Sequence, residues 1–263
     1  MQFCTQTPRT SRATIEPNRE PPAPPTYFFS THAYCCEFDE GAIILDILGD
    51  SYVGIDARHL ANLRTRVGNW PDSDRTNREA ESPSSSESDS LIADLLRRGI
   101  LTVKTTLRQP SSAMGPATAL TPSSKEARHP IPLTHVAQFS IALLMVAWRL
   151  GRNNLPALLD WIDRRQSSIH RRHSITREDA VGRIASFFRL RSVCYTARRR
   201  CLFDSLVLTA YLTREMVPCT FVIGVAIKPF LAHAWVQIGE SVLNDTAEHA
   251  QDFRPILTID GGG

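Results

Sequence analysis

A chain of 263 residues, 42% of them apolar, can bury a core as one large domain or two small ones. The formal net charge of +3 is too mild to single out nucleic acid as a partner, and arginine supplies nearly all the basicity, the only lysines being Lys104, Lys125 and Lys228. The six cysteines (Cys4, Cys35, Cys36, Cys194, Cys201 and Cys219) lack the two-residue gap of a zinc site, and adjacent Cys35-Cys36 makes a poor disulfide framework, so the expectation is a reducing cytoplasm and no metal.

The N-terminus has no apolar signal-peptide core, and residues 1–26, rich in Pro, Thr and Arg, read as a disordered tail. Tyr27 to Cys36 is aromatic and strand-like. Ala42 to Ile47 is a second strand, and Gly49-Asp50 turns it into a third, Tyr52 to Ile55. Asp56 is placed to cap a helix through His59, Leu60, Leu63 and Val67, closed by Gly68 and Pro71. Residues 72–90 are rich in Ser, Glu and Asp and read as a flexible insert. Asp89 or Ser90 then caps a helix with Leu91, Ile92, Leu95 and Leu96 along one side. Gly99 stops it, and Ile100 to Val103 is a short extended tail.

Three strands followed by helices resemble the small winged-helix domain that recognises leader peptides in ribosomal peptide biosynthesis. The resemblance covers about 27–104. It implies that a leader adds as an edge strand along Tyr52, Val53, Gly54 and Ile55 and packs against Leu91, Ile92 and Leu95. A winged helix also serves as a DNA reader. Against that, the second helix carries Asp89 and Asp94 in its body and its basic residues, Arg97 and Arg98, only at its end.

Residues 105–130 read as an interdomain linker, dominated from Gln109 to Arg128 by Ser, Pro, Thr and Ala. Ile131 to Leu150 is the longest apolar stretch. His135, Gln138 and Arg149 interrupt it, so it reads as a buried helix rather than a membrane span. Leu155 to Arg165 is the next helix. The basic run Arg164 to Arg172, with His170 and His173, reads as a solvated loop. Thr176 caps a helix to about Leu190, with Glu178 and Asp179 in its first turn.

The chemistry lies after this point. Leu202 to Glu215 is apolar on nearly every face, which marks a helix buried all round, and Pro218 forces an end beyond it. Cys201 falls at its N-terminus, where free N–H groups and the helix dipole favour a thiolate, and Arg198, Arg199 and Arg200 act in the same sense. Thr220 to Ile227 is a β-branched strand. Lys228-Pro229-Phe230 turns it into Ala232 to Ile238, where His233, Trp235 and Gln237 share one face. Gly239-Glu240-Ser241 is a further turn, and Asp245 ends the strand starting at Val242. Cys201, His233 and Asp245 are thus a nucleophile, a base and an orienting carboxylate in chain order. A regular two-residue hairpin at Gly239-Glu240 would put His233 and Asp245 on opposite faces. The sequence therefore predicts an odd-length turn or a bulge.

Cys-Leu-x-x-Ser-Leu at 201–206, Val-Ile-Gly-Val at 222–225, Pro-Phe-x-x-His-Ala-Trp-Val at 229–236 and Asn-Asp at 244–245 resemble the transglutaminase-like cysteine protease domain of lasso peptide maturation proteins, the leader peptidases that pair with a lasso cyclase. The resemblance covers roughly 131–260. It implies that Cys201 is the nucleophile, His233 the general base and acid, and Asp245 the carboxylate. The expected fold is α+β: a winged-helix-like domain at 27–104, then a papain- or transglutaminase-like domain at 131–263. The implied partners are a precursor peptide, through its leader, and an ATP-dependent, asparagine-synthetase-like cyclase. ATP belongs to that cyclase, and this chain needs no cofactor, nucleic acid or membrane span. Two other readings stay open: acyl transfer to an amine by the same trio, and a non-enzymatic DNA-binding regulator.

Overall fold

The computed structural model describes residues 26–71, 85–104, 118–119, 130–172, 176–195 and 201–260. The tail over 1–25, most of the insert, most of the linker, His173, Arg198 to Arg200 and the terminal triglycine lie outside the described residues. The architecture is mixed α+β, with a small N-terminal sheet region followed by a helical and sheet domain.

The N-terminal part contains β1 (Phe28–Phe29), β2 (Ala33–Phe38), β3 (Gly41–Asp46), β4 (Ser51–Asp56), α1 (Ala57–Arg66), α2 (Ser85–Arg97) and β5 (Leu101–Thr102). β2, β3 and β4 form an antiparallel meander with β4 at one edge, and β1 pairs with β5. α2 starts four residues before Asp89, inside the segment expected to be a flexible insert. Its buried stripe runs from Ser88 through Ile92 and Leu95, so the helix begins a turn earlier than the apolar residues alone suggest. Asp56 precedes α1 without a side-chain cap bond; its carboxylate meets Arg58 at 3.1 Å instead.

Strand alternation gives the meander two apolar faces. Ala33, Ala42, Ile44 and Ile55 pack with Leu60 and Leu63 of α1 and with Ile92 and Leu95 of α2. Cys36, Ile43, Leu45 and Ile47 point the other way, into the core of the C-terminal domain. The contact is continued by Lys228 to Glu40 at 3.1 Å, by Arg254 over the Phe38 ring at 5.3 Å and by an Arg254 bond to the Glu37 carbonyl. Two loosely tethered units would leave that second face bare. Instead it shares a core with its neighbour.

The C-terminal part runs α3 (Leu133–Leu150), α4 (Leu155–Arg172), α5 (Arg177–Cys194), α6 (Cys201–Arg214), β7 (Thr220–Ile227), β8 (Phe230–Ile238), β9 (Ser241–Val242), α7 (Ala247–Gln251) and β10 (Arg254–Ile259). The sheet order is β10-β7-β8-β9-β6. β6 is Thr118–Ala119, which pairs in parallel with β9, so part of the expected linker is a sheet strand. The basic run expected as a loop is helical to Arg172, because Leu158, Leu159, Ile162 and Ile169 extend one buried stripe through it. The Thr176 hydroxyl caps α5 by accepting from the Asp179 N–H, as its sequence position predicts.

α6 is the axis of the domain, with Asp204 through Thr213 all buried. α3, α4 and α5 surround it, and its remaining side lies on β8 and β7. It ends before Pro218 is reached: Met216 adopts φ 60° and the Val217 N–H returns to the Leu212 carbonyl, a left-handed helix stop. α3 is long and apolar enough to cross a membrane by length and composition. In this fold Phe139, Ala142 and Val146 are buried, while Ile141, Leu144 and Trp148 are exposed, so the expected buried helix is buried along one face only.

Gly224 sits opposite His233 in the β7–β8 ladder. A Cβ there would come within 2.7 Å of the Trp235 ring and 2.8 Å of Phe253 Cβ, two groups fixed in a buried cluster. Gly224→Ala is therefore expected to destabilise the protein by about 1–3 kcal/mol, as overpacking does, read from the urea midpoint at unchanged slope.

Candidate active site

Three elements bring the trio together. α6 presents Cys201 at its first position, β8 presents His233, and the bend after β9 presents Asp245. His233 Nε2 lies 2.5 Å from Asp245 Oδ2. The other ring nitrogen is left for the thiol, and a Cys201–His233 hydrogen bond completes the chain.

The turn that makes this meeting feasible is not the one predicted. Ile238 pairs with Ser241 and Gln237 with Val242, a regular two-residue loop at Gly239-Glu240. Gly239 takes φ 56°, the positive value the first position of such a loop favours. Alternation alone would then put Asp245 on the wrong face. The error lay in the strand, which ends at Val242. Leu243 N–H still reaches the Val236 carbonyl at 2.8 Å, but the next backbone partner is replaced by a side chain, since Asn244 Oδ1 accepts from Val236 N–H at 2.9 Å. Released from the ladder, the backbone turns and brings Asp245 round to His233.

Asn244 is held from the helix as well. Its Nδ2 donates to Ser205 Oγ at 2.8 Å, and Ser205 donates to the Ala234 carbonyl at 2.8 Å. Asp204, one turn beyond the thiol, accepts from Arg191 Nε at 2.8 Å and Tyr195 hydroxyl at 3.0 Å. Burial raises the Asp204 pKa, and Arg191, Tyr195 and Asn244 oppose that rise. The same helical turn that starts with Cys201 thus fixes the residue before Asp245 and the strand carrying His233.

The electrostatics draw the thiol and imidazole pKa values toward each other. The His233 hydrogen bond is the largest cause lowering the Cys201 thiol pKa. Half-burial opposes it, and the backbone N–H groups of Ala234 and Leu202 assist it. For His233, burial works against the charged ring, but the bonds and charges of Cys201 and Asp245 outweigh it and leave its pKa raised. Both shifts stabilise thiolate beside imidazolium. The other buried thiols go the opposite way: burial pushes Cys36 up to about 11 and Cys219 up to about 12.

Comparison with known families gives one match, the Transglutaminase-like superfamily, over residues 142–258. Those residues form a transglutaminase-like core domain. The match spans α6, β7, β8 and Asp245, the stretch that brings the trio together. No curated protein and no solved structure matches.

The residues expected to read a leader are divided by the fold. Tyr52 and Gly54 are exposed on the β4 edge and Val53 is half-buried, whereas Ile55, Ile92 and Leu95 are buried in the N-terminal core. Leu91 is half-buried against that core. α2 packs chiefly on α1 and β5. Tyr52 instead meets Phe230 of the transglutaminase-like domain, ring centroids 5.3 Å apart, and Cys201 is among the charges raising its phenol pKa, after burial and Asp50.

Sequence reasoning missed His249. Its Nδ1 lies 2.7 Å from Asp245 Oδ2, the oxygen that His233 also contacts. Its signals in the sequence were the four-residue step from Asp245 and the Thr246 cap of α7. His233, Asp245 and His249 offer ligand atoms within 4.8 Å of one another, so a divalent cation could be held only in competition with these hydrogen bonds.

Proposed function

We propose that this protein is a cysteine peptidase that captures a precursor peptide by its leader and cuts at the leader–core junction. The observation that carries the reading is the hydrogen-bonded Cys201–His233–Asp245 chain with its thiol at a helix N-terminus. In the reaction, Cys201 Sγ attacks the scissile carbonyl and His233 gives its proton to the leaving amine. The leader is then held as a thioester. His233 next takes a proton from water, whose oxygen attacks the thioester and releases the leader carboxylate and the thiol. Asp245 keeps the imidazole oriented and supports its positive form.

Geometry adds a direction. β4 is a sheet edge whose Tyr52 meets Phe230, the first residue of the strand that carries His233. A peptide added antiparallel to β4 enters near Asp56 and leaves near Ser51, so its C-terminal end arrives beside Tyr52 and Phe230. A peptidase that keeps the leader as its acyl half needs that direction. The surface is the exposed part of the edge, Tyr52, Val53 and Gly54, rather than the buried Ile55, Leu95 and Ile92. The freed core α-amine then passes to a partner ATP-dependent cyclase. A duplex-DNA role is disfavoured because Arg66 is bonded to Asp89 at 2.5 Å, and Arg97 and Arg98 to Asp94 at 2.9 and 2.8 Å.

The same trio would serve acyl transfer, with an amine replacing water at the thioester. Mass spectrometry of the full chain with a candidate precursor peptide, sought in a short reading frame beside its gene, separates the two. A free leader carboxylate is expected. A leader–amine adduct as the main product would establish transfer instead, and an untouched precursor in the presence of the cyclase would remove the reading.

A further inference from the structure

Asp245 Oδ2 is shared by two imidazoles, His233 Nε2 at 2.5 Å and His249 Nδ1 at 2.7 Å. Its other oxygen, Oδ1, accepts the Thr246 N–H at 2.8 Å. The carboxylate plane is therefore fixed at both ends by α7. Phe253 packs on both rings, with centroids 5.2 Å from His233 and 5.3 Å from His249. The His249 side chain is half exposed, so its place is not imposed by core packing.

We infer that His249 is a positioning residue for the thiol–imidazole pair: by donating from Nδ1 it holds Asp245 Oδ2 where His233 Nε2 meets it. The argument is geometric. Asp245 stands outside the β9 ladder, on a bend, and a carboxylate on a bend turns freely unless both oxygens are engaged. Thr246 N–H engages one. Without His249 the second oxygen faces His233 alone, and rotation toward water would cost the imidazolium its partner. A second donor on that oxygen removes that freedom. The short α7 helix, started by the Thr246 cap, exists at the position that puts residue 249 one turn above residue 245.

The inference rests on the proposed thiolate but not on any peptide substrate, so it is tested by alkylation. The full chain is treated with iodoacetamide at neutral pH, and labelling is followed at each cysteine by peptide mapping. In the wild type Cys201 should label faster than exposed Cys194, and failure of that comparison counts against the proposed activity. Against the wild-type rate, His249→Ala should slow Cys201 labelling by about fivefold, the scale of one net hydrogen bond. His249→Asn, whose amide nitrogen replaces Nδ1 as a donor, should restore most of it. His249→Phe keeps a ring on Phe253 but has no donor, and should resemble the alanine variant. Thermal melting of all three should stay close to wild type. Equal or faster labelling in His249→Ala would overturn the inference. So would rescue by Phe rather than Asn, which would assign His249 to ring packing alone.

Discussion

Cys201→Ala is expected to abolish precursor cleavage, with a loss on the order of 10⁴-fold or more, while leader affinity and the fold persist. The fold should persist because Cys201 is only half-buried at the first turn of α6 and the buried stretch begins at Asp204. The loss should be near total because, among the described residues, Cys201 is the thiol that interacts with His233. Cys35, Cys36 and Cys219 have pKa values raised by burial, and Cys36 and Cys219 lie in the core. His233→Ala should fall nearly as far, since the helix N-terminus alone would leave a thiolate without a proton donor for the leaving amine. Cleavage by purified Cys201→Ala would place the chemistry elsewhere. Affinity is best read by calorimetry on the inactive variant, where binding is not masked by turnover.

The second large effect is on stability. Ile43 is 2% exposed and belongs to the core that the N-terminal sheet shares with the transglutaminase-like domain. Ile43→Ala should cost about 2–5 kcal/mol through lost transfer and a residual cavity. For a chain of this size that corresponds to a drop of roughly 5–15 °C in melting temperature. The unfolding should remain one transition, because Ile43 and Leu45 of β3, with Ile47 just beyond it, are buried in the same core as the transglutaminase-like domain. Hydrogen exchange offers the check: amides of β3 and β7 should open with the same free energy, and both should fall together in the variant. Independent opening of β3 at a much lower free energy would mean that the shared core does not couple the two parts. Separate fragments are a poor substitute here, since each would expose its half of this interface.

Much of the site could be read directly from residue order. A helix beginning at a cysteine, a strand carrying His233 and the next turn are local features, set by apolar periodicity, β-branched residues and Gly-rich turns. The fine geometry was not legible, for a physical reason. Alternation is a property of a ladder, and β9 leaves its ladder at Val242, where Asn244 substitutes a side-chain oxygen for a backbone one. Nothing in a two-residue strand announces that exchange. His249 escaped for a related reason: it acts from a five-residue helix too short to show periodicity. The tie between the two parts was equally hidden. Cys36 on β2 and Ile43 and Leu45 on β3 share a sheet face, and only three-dimensional packing says what covers it. The basic run before Arg172 misled in the opposite sense, since its charges obscured Gln166 and Ile169, which are buried in the core.

Capture along the β4 edge, as proposed, has a further consequence. A strand advances about 3.3 Å per residue and turns each successive side chain to the other face. A peptide paired with β4 would therefore be measured as well as held. The number of residues between its first contact and the thiol would set which bond is cut. Lengthening a bound peptide by one residue within that span would move the scissile carbonyl and reverse the side chain presented to the Tyr52–Phe230 pair. Such an edge would act as a ruler, with the cut site a count of residues rather than a short recognition word.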